Sequence, residues 1–178
     1  GKNLYWTADV SQELPIKIRP DGVGSETPIT VSEMFLNAVK INGPRNSLFY
    51  KDSAKKVFKW TWDDYLRESM NFAKSLEKLG VKERSSVVIM GFNSAQWFFA
   101  FMGSTLHNNV VTGIYATNSE DACLYQTLHS EAEIVVVENL ELLARFDRTK
   151  LPLVKAFVVW GETTLPSDLK DVYLWPDF

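Results

Sequence analysis

Hydrophobic and polar residues follow two different patterns along this chain, and the pattern changes near Ser85. Before that point, apolar residues recur at helical spacing or stand in short runs around polar turns. After it, short apolar runs without polar alternation are typical of strands covered on both faces of a parallel sheet. We therefore expect helices and a hairpin in the front part, followed by an α/β core.

Residues 1–29 predict an extended arm, because they hold three of the seven prolines and the turn-prone segment 21–25. One short strand is predicted within this arm, over Leu14–Ile18. A helix is predicted to begin at Thr30, which forms a capping box with Glu33. It continues with helically spaced apolar residues and ends at 42–44; these residues are Val31, Met34, Phe35, Ala38 and Ile41.

A hairpin and a second helix are predicted next. Strands over 47–51 and 57–60 flank a polar turn, and the charged stretch Lys51–Lys59 is interpreted as a solvated hairpin and not as a binding patch. Thr61 is expected to cap the following helix, with Asp63 and Asp64 in its first turn. We expect Gly80 to end this helix in the left-handed conformation. Its predicted buried stripe is Leu66, Met70, Ala73, Leu76 and Leu79.

The second half predicts a doubly wound, mostly parallel α/β sheet with flanking helices. Helices are expected over about 94–108, 119–131 and 139–147. The four predicted strands are Ser86–Met90, Val110–Tyr115, Ile134–Val137 and Ala156–Trp160.

The 94–108 helix is apolar around most of its circumference. Only a narrow stripe of small or polar residues interrupts this surface, formed by Gln96, Ala100, Gly103 and His107. The apolar residues are Trp97, Phe98, Phe99, Phe101, Met102 and Leu106. We expect such a helix to be covered by more than the sheet, either by the remainder of its own chain or by a partner chain.

Charge and cysteine content exclude several classes of function. The net charge of −3 gives no basic surplus for nucleic acid or an anionic membrane. Cys123 is the only cysteine, so an internal disulfide and a zinc cluster are excluded, and a reducing, intracellular compartment is expected. The longest apolar run, Trp97–Gly103, is far shorter than the ~20 residues of a spanning helix. No secretory signal is recognised, so membrane contact would be peripheral.

The candidate chemical groups all have a simpler structural interpretation. The turn 91–94 matches neither nucleotide-loop pattern, so Asn93 or Ser94 is expected to cap a helix. Thr117-Asn118-Ser119 predicts another cap, although the end of a parallel strand also suits ligand contact.

The remaining candidates are His107, His129, Cys123 and the carboxylate pairs Asp63/Asp64 and Glu120/Asp121. Each histidine lies near a helix end without a nucleophile motif, Cys123 is expected to be buried, and both carboxylate pairs begin helices. We assign no catalytic, cofactor-binding or metal-ligating residue.

The exact residues in several segments of the chain are more specific than its hydrophobic periodicity. In order it contains TWDDY, LGV, SVVIMGFNSAQWFFAFMGS, GIYATNSEDACLY, IVVVEN, LPLVKAFVVW and VYLWPDF. From about Thr30 to Phe178 this order resembles the front part of long-chain acyl-CoA synthetases of the bubblegum group, in the adenylate-forming superfamily. The discriminating piece is GIYATNS followed by A-C-x-Y.

The resemblance implies an N-terminal subdomain of the adenylate-forming fold. Residues 1–29 would be the arm, and 30–178 the N-terminal portion of an AMP-binding domain without its phosphate loop and C-terminal domain. Such enzymes use ATP, Mg²⁺ and CoA to activate a fatty acid. Their catalytic motifs match no residue here, so this stretch is expected to bind none of these cofactors and to be inactive alone. A cytoplasmic location, peripheral contact with the endoplasmic reticulum membrane and homo-oligomers are compatible with the resemblance.

One departure stands out: His107-Asn108-Asn109 replaces the A-G-G step usual in these enzymes. Asn tolerates left-handed backbone angles better than most residues.

Two alternatives to the ligase interpretation stay open. The chain could be a non-catalytic structural or interaction module within a larger assembly, or a free-standing flavodoxin-like domain with its own small ligand. The absence of a phosphate-cradling loop counts against the latter.

Overall fold

The computed structural model describes residues 6–9, 12–52 and 54–178. Within the described part of the arm there is no strand: residues 12–20 have no regular structure, and a short 3₁₀ helix follows at Val23–Ser25. The predicted strand over Leu14–Ile18 is therefore wrong. Ile16 and Ile18 are 71% and 55% exposed, and a strand without a paired neighbour has nothing to hold its backbone extended.

Helix α1 (Val31–Asn42) begins with the predicted capping box, in which the Thr30 side chain accepts from Glu33 N. The helix ends at Gly43, as predicted. Its buried face consists of Phe35 and Val39. The other apolar positions of the expected stripe are largely exposed, Ile41 at 75%, so helical spacing alone did not identify the buried side.

Strands β1 (Asn46–Lys51) and β2 (Val57–Thr61) form the predicted antiparallel hairpin. Helix α2 (Trp62–Lys78) follows, with Thr61 and Asp64 in a second capping box and Gly80 at φ +63 beyond its end. Ala73 and Leu76 of the predicted stripe are buried, and Leu66 and Leu79 are half-buried, but Met70 is not part of the buried face. Met70 is 38% exposed, whereas the buried residues are Tyr65, Ser69, Phe72, Ala73 and Leu76.

The second half alternates strands and helices as predicted: β3 (Ser86–Met90), α3 (Ala95–Leu106), β4 (Val110–Ile114), α4 (Glu120–His129), β5 (Ala132–Val137), α5 (Leu140–Leu143), β6 (Ala156–Val159) and β7 (Val172–Leu174). Two differences stand out. Helix α5 is four residues long instead of extending to 147, because Asp147 starts a separate 3₁₀ turn at Arg148–Lys150. Strand β7 was not predicted, since three residues are too few to show a pattern.

The sheet has the order β4-β3-β5-β6-β7, and every pair in it is parallel. This is the doubly wound arrangement of flavodoxin-like sheets, as the apolar runs predicted. One face packs under α4 and α5 through residues such as Val88 and Val135. The other face packs under α2 and α3 through neighbours such as Ile89 and Val136.

A further layer lies outside α3. There α1 and the hairpin pack on α2 and α3 in a cluster centred on Phe35, Tyr65 and Phe99. The ring centroids of Phe35 and Tyr65 are 4.8 Å apart, and those of Tyr65 and Phe99 are 5.6 Å apart. The broad apolar surface of α3 is thus covered partly by elements of its own chain. An additional covering partner stays a prediction.

Candidate functional site

The carboxyl ends of the parallel strands meet at one edge of the sheet, where doubly wound folds bind ligands. Strand β3 leads there into the turn 91–94, β4 into the loop 115–119, and β5 into Glu138 and Asn139. Because β4 and β5 lie on opposite sides of β3, two crevices are defined at this edge. They differ in whether a ligand could enter.

The crevice between β3 and β5 is closed. The Glu138 carboxylate accepts the backbone N–H of Phe92 at 2.9 Å, and Trp160 lies against Gly91. A Cβ at Gly91 would stand 2.5 Å from Trp160 Cζ2 and 2.7 Å from Glu138 Cβ, so only glycine fits there. A phosphate would need the amide that Glu138 occupies and would be repelled by its charge. The described residues therefore do not fit a phosphate at this turn.

The crevice between β3 and β4 is open. A cleft of about 670 Å³ extends from the turn after β3 to the loop after β4. Phe92 and Tyr115 are 72% and 81% exposed at its lips, and Trp97 of α3 lines its wall. Gly113 of β4 lies in the lining, where an added Cβ would meet no atom within 4 Å. Apolar surface with a few polar groups is the usual character of a small-molecule site.

Arg145 holds the β4 loop in place from behind. Its Nη1 donates to the backbone oxygens of Ala116 at 2.7 Å and Asn118 at 2.8 Å. Its Nη2 lies 3.6 Å from the Glu141 carboxylate. No local pattern predicts this contact, since Arg145 is 29 residues from Ala116 and lies just beyond a four-residue helix.

The predicted caps are confirmed at both loops. Ser94 Oγ accepts from Trp97 N at 3.1 Å, and Ser119 Oγ accepts from Ala122 N at 3.3 Å. Thr117, Asn118 and Ser119 also line a shallow depression with Arg145. Asp63, Asp64, Glu120 and Asp121 lie in the first turns of α2 and α4, where a carboxylate suits the helix dipole.

The other predicted candidates lie away from this edge. His107 and His129 lie at the carboxyl ends of α3 and α4, which places both at the amino edge of the sheet. The rings of His129 and Tyr125 are tilted, with centroids 5.5 Å apart. Cys123 is fully buried with its Sγ 3.9 Å from Met90 Sδ, and burial raises the pKa of its thiol. Within the described residues, no three His, Cys, Asp or Glu side chains are grouped as metal ligands.

The His107-Asn108-Asn109 turn is built without distortion of the fold. Asn108 adopts φ +64, the left-handed angle that glycine would otherwise supply. The Asn109 side-chain amide donates to Lys82 O at 2.7 Å and Ser85 O at 3.2 Å, and its oxygen lies 2.7 Å from His107 Nδ1. The turn thereby fixes the start of β3 as well as that of β4.

Comparison with known proteins decides the family. The sequence profile described as "AMP-binding enzyme" matches residues 39–171. The chain belongs to the AMP-binding enzyme family. The match covers the hairpin, α2 and nearly all of the parallel sheet, including the strands that border the cleft between β3 and β4.

Relatives within the AMP-binding family confirm the resemblance to bubblegum-group acyl-CoA synthetases. The chain is 36% identical to the long-chain-fatty-acid–CoA ligase ACSBG2 of Gallus gallus over 97% of its length, covering 23% of that protein. It is 34% identical to human ACSBG2 over 97% of its length and 32% identical to human ACSBG1 over 99%, covering 26% and 24% of those proteins. The chain therefore spans about a quarter of the length of the relatives it matches.

Solved structures confirm the fold. Acetoacetyl-CoA synthetase from Streptomyces lividans superimposes with a TM-score of 0.72 at 19% identity, over 82% of this chain and 24% of that one. The anthranilate CoA ligase AuaEII superimposes with a TM-score of 0.66 at 21% identity, over 72% of this chain and 24% of that one. Among the described residues, no helix is both long enough and apolar enough to cross a bilayer.

Proposed function

We propose that this chain is the front part of a long-chain fatty acid–CoA ligase. Residues 1–29 would serve as its arm, and residues 30–178 as the N-terminal portion of its AMP-binding domain. The observation that carries the proposal is the similarity to ACSBG ligases over almost the whole chain. An intracellular location follows from the same proposal, since the substrates of these relatives' named activity include CoA.

In this proposal the open cleft supplies one wall of the active site. Its lining is largely apolar, and the β4 loop is held in place before any ligand binds. Such a wall can contact a bound molecule without first rearranging. Arg145 keeps the loop rigid, and Gly113 leaves the wall free of a side chain. The reaction itself would be performed by groups outside residues 1–178.

ATP, Mg²⁺ and CoA are proposed as cofactors of the larger enzyme only. The turn after β3 is occupied by Glu138, and neither a glycine-rich phosphate loop nor a paired acid and base is found in the sequence. Residues 1–178 alone should therefore fail to form an acyl-adenylate.

The test begins with the transcript. Sequencing it should reveal an open reading frame that continues past Phe178 to a Ser/Thr/Gly-rich loop. The product of the whole frame, purified, should convert oleate, ATP and CoA to oleoyl-CoA, AMP and pyrophosphate in the presence of Mg²⁺. Residues 1–178 purified alone should support no oleate-dependent pyrophosphate exchange.

Two outcomes would contradict the proposal. A stop codon directly after Phe178, with no phosphate loop downstream, would leave the non-catalytic module as the better interpretation. Oleate-dependent exchange by residues 1–178 alone would show instead that the chain carries chemistry of its own.

A further inference from the structure

The β1–β2 hairpin concentrates positive charge in an acidic chain. Residues 46–61 contain four lysines, Lys51, Lys55, Lys56 and Lys59, and one acid, Asp52, which gives this segment a net charge of +3. The whole chain has a net charge of −3. The net charge of the whole chain therefore hides a surface that is locally basic.

The two faces of the hairpin differ in what they contact. Leu48 and Trp60 are paired across the strands and pack into the cluster of α1, α2 and α3, with the Trp60 ring 5.9 Å from Phe99. The opposite face, which we call the hairpin face, consists of the cross-strand pairs Phe49–Lys59 and Lys51–Val57. Strand alternation places these four side chains on the same side.

The hairpin face is apolar and basic at once. Phe49 and Val57 are 62% and 50% exposed, and Lys51 and Lys59 are exposed beside them. The Lys59 ammonium lies 5.8 Å from the centroid of the Phe49 ring. Each lysine stem can thus lie along apolar surface while its ammonium points outward.

The lysine charges are not consumed inside the protein. Among the described residues, none of the four hairpin lysines forms an ion pair with a carboxylate. Asp52, the acid of the hairpin, accepts the backbone N–H of Lys56 at 2.8 Å and so serves to close the turn. The Lys56 ammonium lies 4.8 Å from the ring of Phe58.

We propose that the hairpin face binds an anionic lipid surface. Lysines next to anionic headgroups attract the protein, and an aromatic and an aliphatic side chain between them gain by entering the interfacial region. A nucleic acid accounts for the lysines but offers little to Val57, whose apolar surface would meet charged phosphates. The proposal requires no catalytic role for the chain and stands apart from the proposed ligase function.

Flotation with lipid vesicles tests the proposal on the purified chain. Vesicles of phosphatidylcholine alone are compared with vesicles that contain about 30% phosphatidylserine, at about 0.1 M salt. The double variant Lys51→Gln/Lys59→Gln is matched with Lys74→Gln/Lys82→Gln, which removes the same charge from two exposed lysines in α2 and just beyond it. Circular dichroism and a melting curve confirm that each variant folds.

The chain should bind the anionic vesicles and not the neutral ones. Lys51→Gln/Lys59→Gln should weaken binding about tenfold or more, because each lysine near the membrane surface contributes on the order of fivefold, while the matched control keeps its affinity. Phe49→Ala should weaken binding severalfold as well, and this loss should persist when salt is raised.

The proposal is overturned if the chain fails to bind the anionic vesicles, or if both lysine variants bind equally well. It is also overturned if a single-stranded RNA binds the hairpin lysines more tightly than the vesicles do and Phe49→Ala leaves that binding unchanged. That result would mean that the hairpin face binds a nucleic acid and not a lipid surface.

Discussion

At the scale of single residues, the backbone angle of Asn108 explains how the turn 107–109 is built without a glycine. The residue stands at φ +64, where a Cβ costs most side chains about 1–2 kcal/mol. Asn can adopt this conformation more readily than most residues, as the sequence predicted. The side chain of its neighbour Asn109 then adds four contacts that a glycine would lack.

Asn108→Gly should therefore leave the free energy of unfolding within about 0.5 kcal/mol of the parent, because glycine adopts the same angle freely. Asn108→Val should lower it by about 1–2 kcal/mol, since a β-branched residue is strained there. Urea denaturation followed by circular dichroism measures both. Equal stability of the two variants would mean that the left-handed angle does not govern this turn.

A second residue-scale prediction concerns pH. The backbone N–H of Thr61, and after it the Arg67 guanidinium, lower the pKa of the Asp64 carboxyl from an ordinary 3.8 to about 2. Because the folded pKa is the lower one, the carboxylate stabilises the fold above about pH 4, and this contribution is lost as the pH falls towards 2.

Asp64→Asn should accordingly be less stable than the parent at pH 7, and the difference should shrink between about pH 4 and pH 2. Denaturant unfolding at several pH values measures the difference. Asp63→Asn serves as the control, since Asp63 takes no part in the capping box. A difference that stays constant down to pH 2 would contradict the assigned role of the carboxylate.

At the scale of elements, close contact between α2 and α3 decides which faces of both helices are buried. Gly103 of α3 lies against the Ser69 carbonyl and the Phe72 side chain of α2, where an added Cβ would stand 2.6 Å and 2.9 Å away. The stripe of small residues on α3 is thus its contact surface with a neighbouring helix. Sequence periodicity located both helices and the buried residues Ala73 and Leu76. It was wrong at Met70 and missed Phe72, because only the contact with α3 distinguishes these two positions.

Gly103→Ala should destabilise the chain by about 1–3 kcal/mol, because overpacking against a backbone carbonyl outweighs the gain of about 1 kcal/mol in helix propensity. Ser69→Ala is the matched variant at the same contact. Ser69 Oγ is buried and has no hydrogen-bond partner among the described residues, so its removal should stabilise by about 1 kcal/mol. The free energy of unfolding, measured by chemical denaturation, should be highest for Ser69→Ala, lower for the parent and lowest for Gly103→Ala. A Gly103→Ala variant as stable as the parent would refute the close packing.

At the scale of the whole molecule, the fold was predictable and the site only in part. Local signals placed Ser94 and Ser119 correctly, since a cap depends on the next three residues. The closure of Gly91 by Trp160 and the hold of Arg145 on Ala116 join residues far apart in sequence. Such contacts depend on strand order, which no single segment encodes.

Gly113 allows the role of the open cleft to be tested. In the full-length ligase that we propose, Gly113→Val should keep the fold, because an added Cβ meets no atom within 4 Å and a strand favours β-branched residues. It should lower kcat/KM for oleoyl-CoA formation on the order of tenfold or more, because the added side chain would displace a molecule bound against this wall of the active site. Gly113→Ala should have a smaller effect. Full activity of a folded Gly113→Val enzyme would separate the cleft from the reaction.

The position of β3 between β4 and β5 also has a consequence for biosynthesis. Strand β3 is fully apolar after Ser86 and 0% exposed from Val87 to Met90, yet both of its neighbours are translated later. Its second partner is finished only roughly 50 residues after Met90, which at about 5–20 residues per second takes about 2–10 s. During that interval the nascent chain exposes an apolar strand that has at most one of its two partners. We expect its yield in cells to depend on chaperones that bind at the ribosome.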